Sequence, residues 1–292
     1  MVPTDTLSRL GRVSCVINPQ SGSTPADAAD LIRAKLSGLP DEAKLHVAGE
    51  GDLPVHVEDA LADDPDTLIV WGGDGTIACA LSHAGMTGPA ILPLPGGTMN
   101  MLPTRALGGD YDWETLMDAA LKGGRVRPMP CGEIVGGPRF FVAAMMGDMT
   151  RFTQTREALR EGNLMEAAEI VHDSSALALR SNLHWKVPGQ TLRKSTAVTV
   201  NINADTPGKL EVASVDPEGL LGLAKIGIEM LVDGWRNAED VDLLLADQIE
   251  VTNSEKDRIS LTLDGELREM ASPVQFQRVD SAVKIFVPDL SQ

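Results

Sequence analysis

The stretch LIVWGGDGT at residues 68–76 joins a short apolar run directly to a glycine-rich turn. The apolar run is typical of a buried β-strand, and the pattern from Thr76 to Ala84 predicts a helix after the turn. Glycines let the chain turn sharply and approach a ligand, because no Cβ stands in the way. The N-terminus of the following helix offers N–H groups and a positive dipole end, which favours a phosphate.

The alternation of strand and helix extends outward from this stretch. Val13–Ile17, Lys44–Val47 and 89–93 also read as strands, and helices are predicted near 54–62, 99–107 and 113–121. Thr24 is predicted to cap a further helix that ends before Gly38. Strands that alternate with helices in this way predict a parallel sheet with helices on both faces.

The pattern changes after Pro128. A long, mostly helical stretch over 150–179 is followed by many short β runs with turns, which favour an antiparallel sandwich or barrel. We therefore predict an α/β nucleotide-binding domain with a parallel sheet over 1–128. An all-β, sandwich-like domain with a helical insertion is predicted over 129–292, and its last residues are allowed to pack back on the first domain.

Composition excludes several classes of protein. The 292 residues carry 25 Lys and Arg against 42 Asp and Glu, a net charge of −17 that argues against a nucleic-acid partner. Three scattered cysteines do not make a disulfide framework, and the five histidines lack metal-ligand spacing. No apolar segment qualifies as a signal peptide or a membrane-spanning helix. We expect a cytoplasmic protein.

Two further polar turns accompany GGDGT. NPQSG at 18–22 and PGGTMN at 95–100 each follow a predicted strand, so all three turns should emerge at the carboxyl edge of the sheet, where α/β proteins bind ligands. Asn18 and either Thr98 or Asn100 can donate to phosphate or ribose oxygens. Asp74, an acid among glycines, is interpreted as a magnesium partner or a base; the alternative is a tight turn with Asp74 as a helix cap.

Two familiar nucleotide folds are excluded. The chain has no GxxxxGK[ST] motif, so it is not a P-loop kinase. Gly73, Gly75 and Ala78 nominally fit the dinucleotide-binding fingerprint of Rossmann folds. The acid expected about 20 residues further on is missing, which argues against a Rossmann dehydrogenase.

In this order, NPQSG, GGDGT, GGTMN at 96–100 and LDGE at 263–266 resemble the diacylglycerol kinase catalytic family, which includes sphingosine kinases and bacterial lipid kinases. The chain looks more distantly like the NAD kinases. The resemblance implies ATP bound in a cleft between an α/β domain and a β-sandwich that supplies the acceptor site.

The resemblance also implies roles for single residues. Asp74 would receive the proton of the acceptor hydroxyl, and Asp264 and Glu266 would reach the magnesium–phosphate network or the nucleotide. Arg160, with Arg156 as the alternative, would touch the phosphates. The remaining nucleotide-binding positions would be Asn18, Gly72, Gly73, Gly75, Thr76, Gly97, Thr98 and Asn100.

The chain departs from this family at two places. Ser23 and Thr24 stand where many relatives carry a lysine, which implies a weaker grip on phosphate. The stretch DPEGLLG at 216–222 replaces a structural magnesium motif and leaves Asp216 and Glu218 as ligands. The alternative for that stretch is an ordinary acidic turn.

These observations predict an ATP- and Mg²⁺-dependent kinase of a lipid hydroxyl, with diacylglycerol-like or long-chain-base lipids as the leading class. The lipid would be reached at a membrane surface by a cytoplasmic protein peripheral to it, and a homodimer stays open. One alternative is a kinase of a soluble hydroxyl substrate, as in the NAD kinases. Another is a module that binds nucleotide or lipid without transferring phosphate.

Overall fold

The computed structural model describes residues 9–49, 52–147, 182–203, 206–215 and 241–290. The chain divides into two compact units. The first is Met1–Cys131 together with Val279–Gln292, and the second is Gly132–Arg278. The sequence placed this boundary at residue 128.

The described helices and strands of the first unit alternate along the chain. In order they are β1 (Val13–Ile17), α1 (Ala28–Leu36), β2 (Lys44–Val47), α2 (Leu53–Ala62), β3 (Thr67–Gly72), α3 (Asp74–Ala84), β4 (Ala90–Pro95), α4 (Met101–Leu107) and α5 (Trp113–Lys122).

The described elements that follow are strands. In order they are β5 (Gly124–Ile134), β6 (Arg139–Phe140), β7 (Ala143–Gly147), β8 (Leu183–Lys186), β9 (Arg193–Ser195), β10 (Ala197–Ile202), β11 (Leu210–Val215), β12 (Val241–Ala246), β13 (Gln248–Asn253), β14 (Arg258–Leu263), β15 (Glu266–Ala271) and β16 (Val274–Pro288).

The sheet of the first unit contains a run of parallel strands. Its strands lie in the order β2-β1-β3-β4, and the end of β16 pairs in parallel with β4, with Lys284 opposite Ala90. Strands β1 and β3 are buried along their whole length. Helices cover both faces of such a sheet, so its strands are continuous apolar runs rather than alternating ones. This is why VSCVI and TLIVWG fold as strands here.

The second unit is built from antiparallel strands. One sheet has the order β12-β11-β10-β7-β14-β15, and β13 pairs with β8 and with the first residues of β16. Phe140, Trp185 and Phe276 are almost fully buried in its core, with the Phe140 and Phe276 rings edge to face at 6.1 Å. The predicted fold class, an α/β domain with a parallel sheet followed by an all-β domain, is confirmed.

The predicted helical insertion over 150–179 lies outside the described residues. Within the described part of the chain, no helix has the length and apolar character needed to cross a membrane.

A polar cluster joins β1, β2 and the end of α2. The carboxylate of Asp63 accepts hydrogen bonds from Lys44 Nζ at 2.6 Å and Ser14 Oγ at 3.2 Å, and His46 Nε2 lies 2.7 Å from it. Burial alone would raise the pKa of Asp63, but these hydrogen bonds together lower it below its ordinary value of 3.8. The stabilisation is therefore complete above pH 3.8 and is lost as the pH falls through the lowered pKa.

We expect Asp63→Asn to lower the free energy of unfolding by about 1–2 kcal/mol near neutral pH, because three donors lose a charged acceptor. The difference from the wild type should shrink as the pH falls below 3.8 and through the lowered pKa of Asp63, where the carboxyl takes up a proton. Urea unfolding of both proteins at about pH 7 and about pH 3 measures this difference. If Asp63→Asn lost the same free energy of unfolding at both pH values, the ionised Asp63 carboxylate would not be the source of the stabilisation.

Candidate active site

Three turns meet at the carboxyl edge of the parallel sheet. Strand β1 pairs with β3 so that Ile17 lies opposite Trp71, and β3 pairs with β4 so that Gly72 lies opposite Pro95. The chain therefore leaves all three strands at the same edge. The structure brings together the turns that begin at Asn18, Gly73 and Gly96.

The two glycine turns touch through their backbones. The N–H of Gly96 donates to the carbonyl of Gly72 at 2.9 Å. A Cβ on Gly97 would lie 2.8 Å from the Cα of Gly73, and one on Gly96 would lie 3.0 Å from the Cα of Gly72. Since Cβ atoms do not approach backbone this closely, the contact requires glycine.

The glycine turn after β3 leads directly into a helix. Gly73 is the N-cap of α3, and Asp74, Gly75 and Thr76 form its first turn. The N–H groups of a first helical turn have no acceptor within the helix, and the helix dipole places partial positive charge there. Gly72 packs against the side chain of Thr76, where a Cβ would come within 2.7 Å.

Asp74 is held at the start of α3 by a main-chain donor. Its Oδ1 accepts a hydrogen bond from the N–H of Leu102 in α4 at 2.8 Å. Among the described residues, no protein donor contacts the other carboxylate oxygen, Oδ2. Asp74 is half-buried. The carboxylate is thus oriented through one oxygen while the other can still take a proton or contact a cation.

Asn18 fastens the first turn to the others. Its N–H donates to the carbonyl of Trp71 at 2.9 Å, and its Nδ2 donates to Thr76 Oγ1 at 3.0 Å. Its Oδ1 accepts from the N–H of Gln20 at 3.1 Å. In the described part of the chain, no acceptor contacts the second Nδ2 hydrogen, and the predicted contact of Asn18 with phosphate or ribose stays a prediction.

Asn100 shapes the third turn from within. It has φ 49° and ψ 37°, a left-handed conformation that asparagine tolerates better than most residues. Its Oδ1 accepts from the N–H of Gly97 at 2.8 Å. Thr98, between them, is exposed. Thr98 therefore remains available to a ligand, while the Asn100 side chain fixes the loop.

Trp71 packs beside the glycine turns, a role that the sequence did not predict. Its Nε1 donates to the carbonyl of Pro95 at 3.0 Å, and its ring packs on that of Trp113 with centroids 4.6 Å apart. Trp71 is fully buried. The signal that could have revealed it is its place immediately before the glycines, where a bulky anchor fixes the end of β3.

Asp264 of the second unit forms a tight hairpin with Gly265. The two residues have φ 49° and φ 92°, and they join β14 to β15. Positive φ at both central positions is typical of an Asp-Gly hairpin turn. The carboxylate accepts hydrogen bonds from the N–H groups of Phe141, Val142 and Ala143 at 2.7–3.0 Å. These bonds give Asp264 a structural role in its own unit, and its predicted catalytic role remains a prediction.

Glu266, the first residue of β15, is exposed and forms an ion pair with Arg268 at 2.7 Å. Arg160, Arg156, Asp216 and Glu218 lie outside the described residues. Within the described ranges, no three His, Cys, Asp or Glu side chains cluster as metal ligands.

Comparison with known proteins finds a family match for the first part of the chain. Residues 12–134 match the diacylglycerol kinase catalytic domain. The match confirms the resemblance. It covers the first three motifs and ends before Asp264.

Solved structures share the fold of the whole chain. A diacylglycerol kinase from Bacillus anthracis str. Sterne is 16% identical with a TM-score of 0.64, over 96% of this chain and 98% of that one. Yeast NADH kinase, solved in complex with NADH, is 11% identical with a TM-score of 0.55, over 96% of this chain and 84% of that one. These likenesses show the fold, and the matched diacylglycerol kinase catalytic domain supports a kinase.

Proposed function

We propose that this protein transfers the γ-phosphate of ATP, with Mg²⁺, to a hydroxyl of a diacylglycerol-like or long-chain-base lipid. The observation that carries the proposal is the position of Asp74. Its half-buried carboxylate sits at the N-terminus of α3, beside two glycine turns in backbone contact, and within the described residues only its Oδ1 has a hydrogen-bond donor.

The glycine turns suit the phosphates of a nucleotide. Side chains at Gly96 or Gly97 would collide with neighbouring atoms, so the close approach of the two turns requires glycine at both positions. The N–H groups of Asp74 and Gly75, in the first turn of α3, can donate to phosphate oxygens. Asn18, Gly72, Gly73, Thr76, Gly97, Thr98 and Asn100 complete the proposed nucleotide-binding set, with Arg160 as a further phosphate contact.

Phosphoryl transfer depends on alignment and on neutralisation of negative charge. Bound Mg²⁺ supplies that neutralisation in a chain with a net charge of −17. Carboxylate oxygens are suitable magnesium ligands. Within the described residues Asp74 Oδ2 has no hydrogen-bond donor, and in this proposal it acts as the base. Asp216 and Glu218 are proposed as ligands of a second, structural magnesium.

In the proposed reaction, the oxygen of the acceptor hydroxyl forms a bond to the γ-phosphorus, and Asp74 accepts the proton that this hydroxyl loses. The bond between the γ-phosphorus and the bridging oxygen breaks, and ADP leaves with the electron pair. Asp264 and Glu266 retain catalytic roles in this proposal. Asp264 would act while its carboxylate also holds the 141–143 backbone.

The choice of a lipid acceptor rests on the match of residues 12–134 to the diacylglycerol kinase catalytic domain. A kinase of a soluble hydroxyl substrate is the second candidate, favoured by the fold shared with yeast NADH kinase. As a lipid kinase, the protein is proposed to be cytoplasmic and to meet its substrate at a membrane surface. The two candidates differ in the phase into which the product partitions.

The test is transfer of label from γ-labelled ATP in the presence of Mg²⁺. Acceptors are dispersed diacylglycerol, a dispersed long-chain base, NADH and small soluble alcohols, each in a separate reaction. We expect label in the organic-phase product of a lipid reaction. Label only in an aqueous product would favour the soluble-substrate kinase, and ATP binding without any transfer would favour a binding module.

A further inference from the structure

Three hydroxyl side chains of the first turn bind the backbone of both glycine turns. Ser21 Oγ accepts the N–H of Gly73 at 2.9 Å. Ser23 Oγ donates to the carbonyl of Gly97 at 2.9 Å, and Thr24 Oγ1 donates to the carbonyl of Gly96 at 3.3 Å. We call Ser21, Ser23 and Thr24 the hydroxyl clasp.

The clasp changes the interpretation of Thr24. The prediction that Thr24 caps the first helix is wrong, because α1 begins at Ala28 and its N-cap is Asp27. Thr24 is instead buried, with 8% of its surface exposed, and a Cβ on Gly96 would lie 2.1 Å from its hydroxyl oxygen. The side chain is therefore fitted against the third turn rather than against a helix.

The clasp binds the two glycine turns at the place where they contact each other. Gly73 and Gly97 approach each other so closely that a Cβ on either would lie within 3.6 Å of the other's Cα. Glycine has no side chain, so side-chain packing between Gly73 and Gly97 cannot fix the distance between the two turns. The hydroxyls of the neighbouring turn add a restraint to the backbone hydrogen bond between Gly96 and Gly72, because Ser21 holds Gly73 and Ser23 holds Gly97.

We infer that the hydroxyl clasp is a positioning device, in which Ser21, Ser23 and Thr24 hold the two glycine turns at the spacing that a nucleotide requires. The inference rests on the proposed function. A binding site that is fixed before the ligand arrives loses less conformational entropy on binding. Loss of a clasp hydroxyl should therefore weaken nucleotide affinity.

The test compares variants by the dissociation constant for MgATP, measured by titration calorimetry. Ser21→Ala and Thr24→Val each remove one clasp hydrogen bond and should weaken binding about threefold to tenfold, and the double variant should weaken it further. Thr24→Ser keeps the hydroxyl and should bind as the wild type does. Ser37→Ala is the matched control, since the Ser37 hydroxyl donates to Ala34 O in α1.

The outcomes separate the clasp from the proposed function. If the wild type binds MgATP and Ser21→Ala and Thr24→Val bind it as tightly as Ser37→Ala, the clasp is overturned. Thr24→Ser binding as weakly as Thr24→Val would also overturn it, because the methyl group and not the hydroxyl would then matter. A folded wild type that binds no MgATP would contradict the proposed function itself.

Discussion

Asp74→Asn should lower the initial rate of phosphate transfer by about a hundredfold or more, the scale of the loss when a general base is removed. Asparagine keeps an oxygen that can accept the N–H of Leu102, so the side chain should stay in place. It cannot take a proton from the acceptor hydroxyl. The loss should therefore fall on kcat, measured as label transfer at saturating MgATP.

Asp41→Asn is the control for this variant, because Asp41 is exposed and lies between α1 and β2, away from the glycine turns. We expect it to retain wild-type activity. Asp74→Asn protein that unfolds like the wild type but keeps more than a tenth of its kcat would remove Asp74 from the proposed role.

Gly97→Ala should weaken MgATP binding by about tenfold to a hundredfold, the range expected when an added methyl forces apart packed backbone. The new Cβ would lie 2.8 Å from the Cα of Gly73, which cannot rotate away as a side chain could. The two glycine turns would separate. The dissociation constant for MgATP measures the effect.

Gly38→Ala provides the matched control, since a Cβ at Gly38 meets no atom within 4 Å. This variant should bind MgATP as the wild type does. Equal affinities of Gly97→Ala and Gly38→Ala would mean that the contact between the glycine turns has no part in nucleotide binding.

Much of the first unit could be predicted from the sequence. Apolar runs bounded by glycine, proline and polar residues are local signals, and they identified β1, β3 and β4 within one or two residues. A parallel arrangement then requires their carboxyl ends to share an edge. The neighbourhood of Asn18, Asp74 and Gly97 follows from these local signals alone.

Contacts between turns could not be predicted, because they depend on register and side-chain direction. Nothing local distinguishes a threonine that caps a helix from one that donates to the carbonyl of Gly96, 72 residues away. The same holds for the backbone donor that Leu102 gives to Asp74. These partners become neighbours only after the sheet has formed.

Asp264 illustrates a different limit. The sequence DG between two strands is a strong hairpin signal, and the structure has such a hairpin. The three main-chain N–H groups that Asp264 accepts come from a segment more than 120 residues earlier in the chain. The same sequence is compatible with a structural and a catalytic role for Asp264; the contacts show the structural role, and the catalytic role stays a prediction.

The ratio of phosphorylated lipid to ADP tests most directly whether the protein transfers phosphate from ATP to a lipid hydroxyl. Purified protein would be incubated with MgATP and dispersed diacylglycerol or a long-chain base, with ADP and phosphorylated lipid quantified from the same reaction. We expect one phosphorylated lipid for each ADP formed. ADP formation without any phosphorylated lipid would contradict it.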